Sequence, residues 1–533
     1  MPDAVEAQPA AGGAPAAEQL PSVTFESLTF SDGTTVQLDP ADIVVFIGPN
    51  NAGKSAALRE LELFVGPPTA QTVIKSAHLK KAGSPEQVRA LLEVEARKRG
   101  EGTSFTYQGY GYNIPGAHIE SLWQKNLQLF RALLCLRIPT ETRITGSNKQ
   151  NAISALDDVP THPIHILYAD DRVENRLSRY FERAFGQELI VFRGGGSQIP
   201  LMVGKRPSLE QGEDRVSATY IERLRAVAWP LEGQGDGMRS FATVILHLLV
   251  PTTQSLLLLD EPEAFLHPPQ ARLLGEFITK ERPAHSQLFV ATHSPDVLQG
   301  FLQVAPEHLR IIRIHRDGDV NRVKELDKAK AKNIGTDPLM KFSSVLSGVF
   351  HERVVVCEAD ADCMFYSALL DLPDIRGSMQ PDVLFLHASG KHRMAALAEA
   401  MRALGVPVDI IADIDVLNDI SVLKKMVEAV GGPWSGIEAE AVRLKDAIEQ
   451  HKPWLNSAEV AKGVREVMGK APDSGEFPKA LKAEVDAIFR KASPWDAVKD
   501  AGTAGYSAGP GHPPVQSLER VVQELRPVDR ACG

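Results

Sequence analysis

The octapeptide Gly48-Pro49-Asn50-Asn51-Ala52-Gly53-Lys54-Ser55 stands between an apolar run and a helical pattern. The spacing suits a phosphate cradle (the Walker A motif). Its glycines let backbone N–H groups close round the anion, Lys54 adds a cation at the β- and γ-phosphates, and the Ser55 hydroxyl can ligate Mg²⁺. Two hundred residues on, Leu256-Leu-Leu-Leu-Asp260-Glu261-Pro262-Glu263 has the form of a Walker B strand. Asp260 would hold Mg²⁺ through its shell, and Glu261 at the strand tip would take a proton from an attacking water. After the strand Gln287–Ala291 comes Thr292-His293-Ser294-Pro295, which puts His293 where it can donate to a γ-phosphate.

A second set of acids lies nearer the C-terminus. Val354-Val-Val-Cys357-Glu358-Ala-Asp360-Ala-Asp362 ends an apolar strand and opens a helix, and Ile410-Ile-Ala-Asp413-Ile-Asp415 repeats the design. In a parallel sheet such strand ends share one edge, so Glu358, Asp413 and Asp415 can converge, and these three with Asp362 are the candidate metal ligands. Converging carboxylates repel one another unless a divalent cation neutralises them, and all-oxygen donors favour Mg²⁺ or Mn²⁺. Such a site can activate water and stabilise the leaving oxygen of a phosphodiester. Taken singly, an Asp-x-Asp at a strand end equally marks a helix cap.

The elements needed to position these groups are legible as alternating strands and helices. Strands are expected at Ser22–Phe30, Thr35–Leu38 and Asp42–Ile47, then a helix over about 54–65. Pro85–Arg99 reads as a helix, as do 171–185 and 215–228, within a stretch of about 67–229 that reads as an insertion. Helix Gly237–Val250, strand Leu256–Leu259, helix 269–281 and strand Gln287–Ala291 follow. Arg310–Arg316 and Val320–Leu326 form a hairpin about Asp317-Gly318. A connector carrying Lys328, Lys330 and Lys332 marks the domain boundary, after which the alternation restarts. Arg353–Cys357, Val383–His387 and Val408–Ala412 read as strands, and 361–370 and 391–404 as helices. The pattern predicts an α/β chain with parallel sheets covered on both faces. Its parts are a disordered tail (1–21), a nucleotide-binding head (22–330), a linker (331–350), a second α/β domain (351–430) and a mostly helical extension (431–533).

Composition bounds the rest. The 533 residues exceed one ordinary domain, and 43% hydrophobic with 24% charged residues is globular usage. No apolar run is long enough to span a membrane. The start lacks the features of a secretory signal, and four cysteines without CxxC spacing exclude a zinc or disulfide framework, so a cytoplasmic location is expected. A net charge of −10 means that any nucleic acid must be held by local basic patches or through metal. Arg97-Lys98-Arg99 beside Phe105, Tyr107, Tyr110 and Tyr112 is one candidate patch. The alternative is a solvated helix end followed by a packed strand.

GPNNAGKS, LLLLDEPEAFLHP and ATHSP, in that order, resemble the ABC-type ATPases of the OLD and SMC-like group. The later acids, with Gly390-Lys391 after the middle strand, resemble a Toprim domain, and the whole is similar to OLD nucleases, including Gabija and retron-associated ones. The resemblance implies an ABC-type head and a Toprim-like nuclease using ATP and Mg²⁺ or Mn²⁺ to cleave DNA in anti-phage defence. It also implies a nucleotide sandwiched between two heads of a homodimer or higher oligomer, and a signature loop matching Gly235-Asp236-Gly237-Met238-Arg239-Ser240. Gly235 takes the usual signature serine's place, so that hydroxyl is lost. Some relatives work with a helicase-like protein or with a retron's reverse transcriptase and RNA. A lysine assisting at the phosphate matches Lys499. The sequence does not place a glutamine loop. A regulatory ATPase with an inert Toprim domain is the alternative; an SMC-type clamp is disfavoured because long heptad stretches are missing.

Overall fold

The computed structural model describes residues 20–66, 71–102, 104–109, 111–154, 158–250, 253–304, 307–326, 344–372, 381–450, 456–472, 476–490 and 495. The expected tail up to residue 19 and most of the connector, including its three lysines, lie outside the described residues. The chain divides into two compact units, 1–350 and 351–533.

The first unit is built on strands that the sequence makes too apolar to leave exposed. In chain order its framework is β1 (Ser22–Phe30), β2 (Thr35–Gln37), β3 (Ile43–Ile47), α1 (Lys54–Phe64), β4 (Ile74–Ala82), β5 (Cys135–Ile138), α2 (Asp236–Leu249), β6 (Leu256–Asp260), β7 (Gln287–Ala291), β8 (Leu309–Asp317) and β9 (Val320–Glu325). Six strands form one sheet in the order β9-β8-β3-β7-β6-β5. All neighbours are parallel except the β8–β9 hairpin. Every residue of β3, β6 and β7 is buried, as a sheet covered on both faces requires. The antiparallel sheet β2-β1-β4 is tied to the entry ends of two of these strands. Ser255 Oγ accepts from Val23 N at 2.8 Å, and Gln287 Oε1 accepts from Phe25 N at 2.8 Å. Phe25 meets Phe289 edge to face at 5.8 Å, sealing the two sheets together.

Three expectations are corrected. The stretch 67–229 is not wholly an insertion, because β4 pairs with β1 and β5 is the edge strand beside β6. The helix from Pro85 stops at Glu95, and Arg97–Arg99 is a strand paired to Thr106–Gly109. Lys98 Nζ there sits 4.0 Å over the Phe105 ring, and Tyr107 is buried, so neither ring is open for stacking on a base. The linker was expected to run to 350, but Ser344–Phe350 forms a 3₁₀ turn on the first unit, with Val349 O accepting from Arg313 Nε at 3.3 Å.

The second unit carries a three-stranded parallel sheet with β10 (Arg353–Cys357) at its centre, between β11 (Val383–His387) and β12 (Val408–Ile411). Helices α3 (Asp360–Leu370), α4 (Lys391–Ala403) and α5 (Ile420–Val430) alternate with the strands, and Trp434–Gln450, Ser457–Met468 and Lys479–Arg490 continue as helices. No helix among the described residues is long and apolar enough to cross a membrane.

Candidate functional site

The phosphate cradle hangs between β3 and α1, and its backbone needs glycine. Gly48 has φ +136°, and a Cβ built there would lie 2.0 Å from Ile314 O on β8. Gly53, at φ +98°, opens α1. Gly48→Ala is therefore expected to lower stability by about 1–3 kcal/mol, since it adds both overpacking and backbone strain. A thermal melt checks this, and an unshifted midpoint would contradict it. Asn321 on β9 donates from Nδ2 to Ala52 O at 2.7 Å, so the hairpin steadies the loop from behind.

Lys54 is buried, and its ammonium donates to Gly48 O and Pro49 O, each at 2.8 Å. Burial pushes its pKa down, opposed by the nearby carboxylates of Glu261, Glu263 and Asp260. Ser55 Oγ donates to Asp260 Oδ1 at 2.8 Å, joining the two Mg²⁺-ligand candidates across the sheet edge. Burial raises the Asp260 carboxyl above the ordinary range, as suits a group that a cation would restore to full charge. These residues fit a nucleotide with its Mg²⁺: a glycine cradle, a buried cation, and a hydroxyl–carboxylate pair in contact.

Glu261 sits just past β6 with φ +46°, and its N–H donates to Ala291 O at 2.7 Å. Its Oε1 lies 3.2 Å from His293 Nδ1. That hydrogen bond holds the Glu261 carboxyl below its ordinary value and raises the His293 imidazole. Glu263, unassigned from the sequence, is the buried brace of this edge. It accepts from Thr292 Oγ1 at 2.7 Å and from His293 N at 3.1 Å. Gly235 caps α2 and has open space around it, whereas a Cβ on Gly237 would lie 2.7 Å from Phe265 O. The start of α2 is thus pressed against the loop that leaves the Walker B strand.

In the second unit, Glu358 follows β10 while Asp413 and Asp415 follow β12. One carboxylate oxygen from each lies within 4.8 Å of the others. Gly390 N donates to Glu358 O at 3.1 Å, and Lys391 at the start of α4 brings Nζ to 3.8 Å from Asp415 Oδ1. Three oxygen donors at that separation fit Mg²⁺ or Mn²⁺. Asp362 stands outside the cluster. Its Oδ2 accepts from Ala359 N at 2.9 Å, so it caps α3 as a third-position acid does. Lys499 lies outside the described residues.

Comparison with known proteins adds three findings. Residues 136–299, from β5 to the helix after His293, match the family described as "AAA domain, putative AbiEii toxin, Type IV TA system". The chain is 20% identical over 281 residues to the Old nuclease of Escherichia phage P2, a match covering 46% of each protein. The head thus resembles an OLD-type ATPase in sequence over that stretch. The matched stretch is less than half the length of the phage protein. Among solved structures, an SMC head bound to the C-winged helix domain of ScpA is 13% identical, with a TM-score of 0.35, over 58% of this chain and 98% of that one. The SMC head domain from Thermotoga maritima is 13% identical, with a TM-score of 0.30, over 58% and 99%. The fold of the first unit rests on its own sheet order and motifs: phosphate loop, histidine strand and Walker B strand adjacent and parallel, all opening on one edge.

Proposed function

We propose that this chain hydrolyses ATP in its OLD-type head and uses Mg²⁺ or Mn²⁺ in a Toprim-like second unit to cut DNA, as a homodimer or higher oligomer in anti-phage defence. The observation that carries the reading is the convergence of Glu358, Asp413 and Asp415 to 4.8 Å on a chain that also holds a nucleotide cradle. In the head, Lys54 and the loop amides bind the phosphates, Ser55 and Asp260 hold Mg²⁺, Glu261 takes the proton from water, and His293 donates to the terminal phosphate. Bound Mg²⁺ would supply charge neutralisation at the phosphates. In the second unit, Glu358, Asp413 and Asp415 would hold the cation that activates water at a phosphodiester. Lys499 is the lysine proposed to assist at the phosphate.

The nucleotide state of the head is proposed to control the nuclease. An ATP-filled sandwich and an empty one are two discrete arrangements, and a coupling of about 1–3 kcal/mol, roughly 5- to 150-fold, is ordinary between such states. Nicking rates of the parent, Lys54→Ala and Glu261→Gln proteins, with and without ATP, are expected to differ by that factor. Equal rates throughout would leave two independent enzymes on one chain. Incubation of the purified protein with plasmid and Mg²⁺ or Mn²⁺ tests the reading as a whole. Nucleotide-dependent self-association without any nicking would favour a regulatory ATPase with an inert second unit.

A further inference from the structure

We infer that Arg143 is a positioning residue for ATP hydrolysis, holding the backbone of Asp260 and Glu261 so that the Glu261 carboxylate points at the reacting water. The inference rests on the ATPase reading above. Arg143 is fully buried, although arginine is among the side chains least often found so. It follows β5, the parallel neighbour of β6, so the chain leaving β5 runs along the edge that carries the phosphate loop, Asp260 and His293. Its guanidinium donates to three main-chain carbonyls: Glu261 O at 3.0 Å, Asp260 O, and Ile138 O at 3.4 Å. Thr140 Oγ1 reaches the same Asp260 O at 3.2 Å.

A buried cation spent on carbonyls is costly: desolvation outweighs the pull of the nearby Glu263, Asp260, Glu261 and Glu141 carboxylates and holds the Arg143 pKa below its ordinary value. The cost matches what those carbonyls belong to. Glu261 has φ +46°, a conformation that a non-glycine residue holds only when its surroundings enforce it. Ala291 O accepts its N–H, and Arg143 holds its C=O, so both peptide groups flanking the catalytic side chain are fixed. The carboxylate then ends 3.2 Å from His293. The strut continues into α2: Ser147 Oγ donates to Arg239 O at 3.2 Å, and a Cβ on Gly146 would meet Thr243 Cγ2 at 2.5 Å. One short segment therefore links the Walker B turn to the helix that begins with Gly235.

The test is single-turnover hydrolysis of pre-bound Mg²⁺-ATP by full-length parent, Arg143→Met and Arg143→Lys proteins, with ATP stoichiometry and Kd measured alongside. A purely structural role would reduce the ATP bound per chain and leave the rate per bound ATP unchanged. Misplacing the base by a fraction of an ångström to one ångström instead lowers that rate, by up to about 100-fold. The expected result is a loss of about that size in Arg143→Met and an intermediate loss in Arg143→Lys, which keeps the charge without the three-carbonyl grip. Kd should stay within about threefold of the parent's, because the phosphate loop is untouched. Parental rates per bound ATP in both variants would overturn the inference; if Arg143→Met does not fold, a parental rate in Arg143→Lys overturns it alone. Absence of turnover in the parent would overturn the ATPase reading and this inference with it.

Discussion

Glu261→Gln is expected to bind ATP as the parent does and hold it unhydrolysed, with turnover reduced by about 10²- to 10⁴-fold, the range of a lost general base. The amide is close in size to the carboxylate, so it can keep the 3.2 Å contact to His293 while losing the ability to take a proton. The main-chain bond to Ala291 O is indifferent to the side chain. Lys54→Ala should fail earlier, at binding, because it removes the one buried cation that the cradle supplies. Equilibrium ATP binding and phosphate release separate the two phenotypes. Parental hydrolysis by Glu261→Gln would move the general base elsewhere on the sheet edge, and tight binding by Lys54→Ala would remove the lysine from phosphate recognition.

The parts of this machinery written as contiguous motifs were legible in the sequence. An unbroken apolar run beside a glycine-rich turn can hardly be anything but a buried strand feeding a phosphate loop, and β3, β6 and β7 lie within a residue of their expected bounds. The hairpin at Asp317-Gly318 was readable for the same local reason. Long-range pairing was not. Cys135–Ile138 carries an arginine and is too short to announce itself, yet β6 recruits it to the sheet edge. Arg143 is a lone basic residue, two of whose three carbonyl partners lie more than a hundred residues away, and no sequence spacing encodes that. Glu263 stood in the printed motif, but its role as a brace depends on Thr292, which only the fold brings to it. Asp362 shows the opposite case: an acid three residues into a helix has a local use, capping the Ala359 N–H, whatever else it could do.

In the second unit, Asp413→Ala or Glu358→Ala is expected to abolish metal-dependent nicking while leaving ATP hydrolysis at the parental rate. Each residue contributes one of the three oxygens within 4.8 Å, and two remaining carboxylates leave too few protein donors to hold the cation firmly against water. Both side chains are at least partly exposed, so removing one does not open a cavity in the core. The nucleotide residues all belong to the other compact unit, which keeps its own hydrogen bonds. Asp362→Asn is the control. It removes charge from the same helix start but not from the cluster, and should retain cleavage. Loss of nicking in Asp362→Asn equal to that in Asp413→Ala would return Asp362 to the metal site.

The most direct measurement is conversion of supercoiled plasmid to nicked or linear DNA by the purified full-length protein with Mn²⁺, Mg²⁺ or EDTA, run beside Asp413→Ala. The account predicts cleavage that appears with the divalent cation, disappears with EDTA, and is missing from Asp413→Ala although that variant still hydrolyses ATP. Cleavage of equal extent by Asp413→Ala and the parent, or no cleavage by the parent with either cation, with or without ATP, would contradict it.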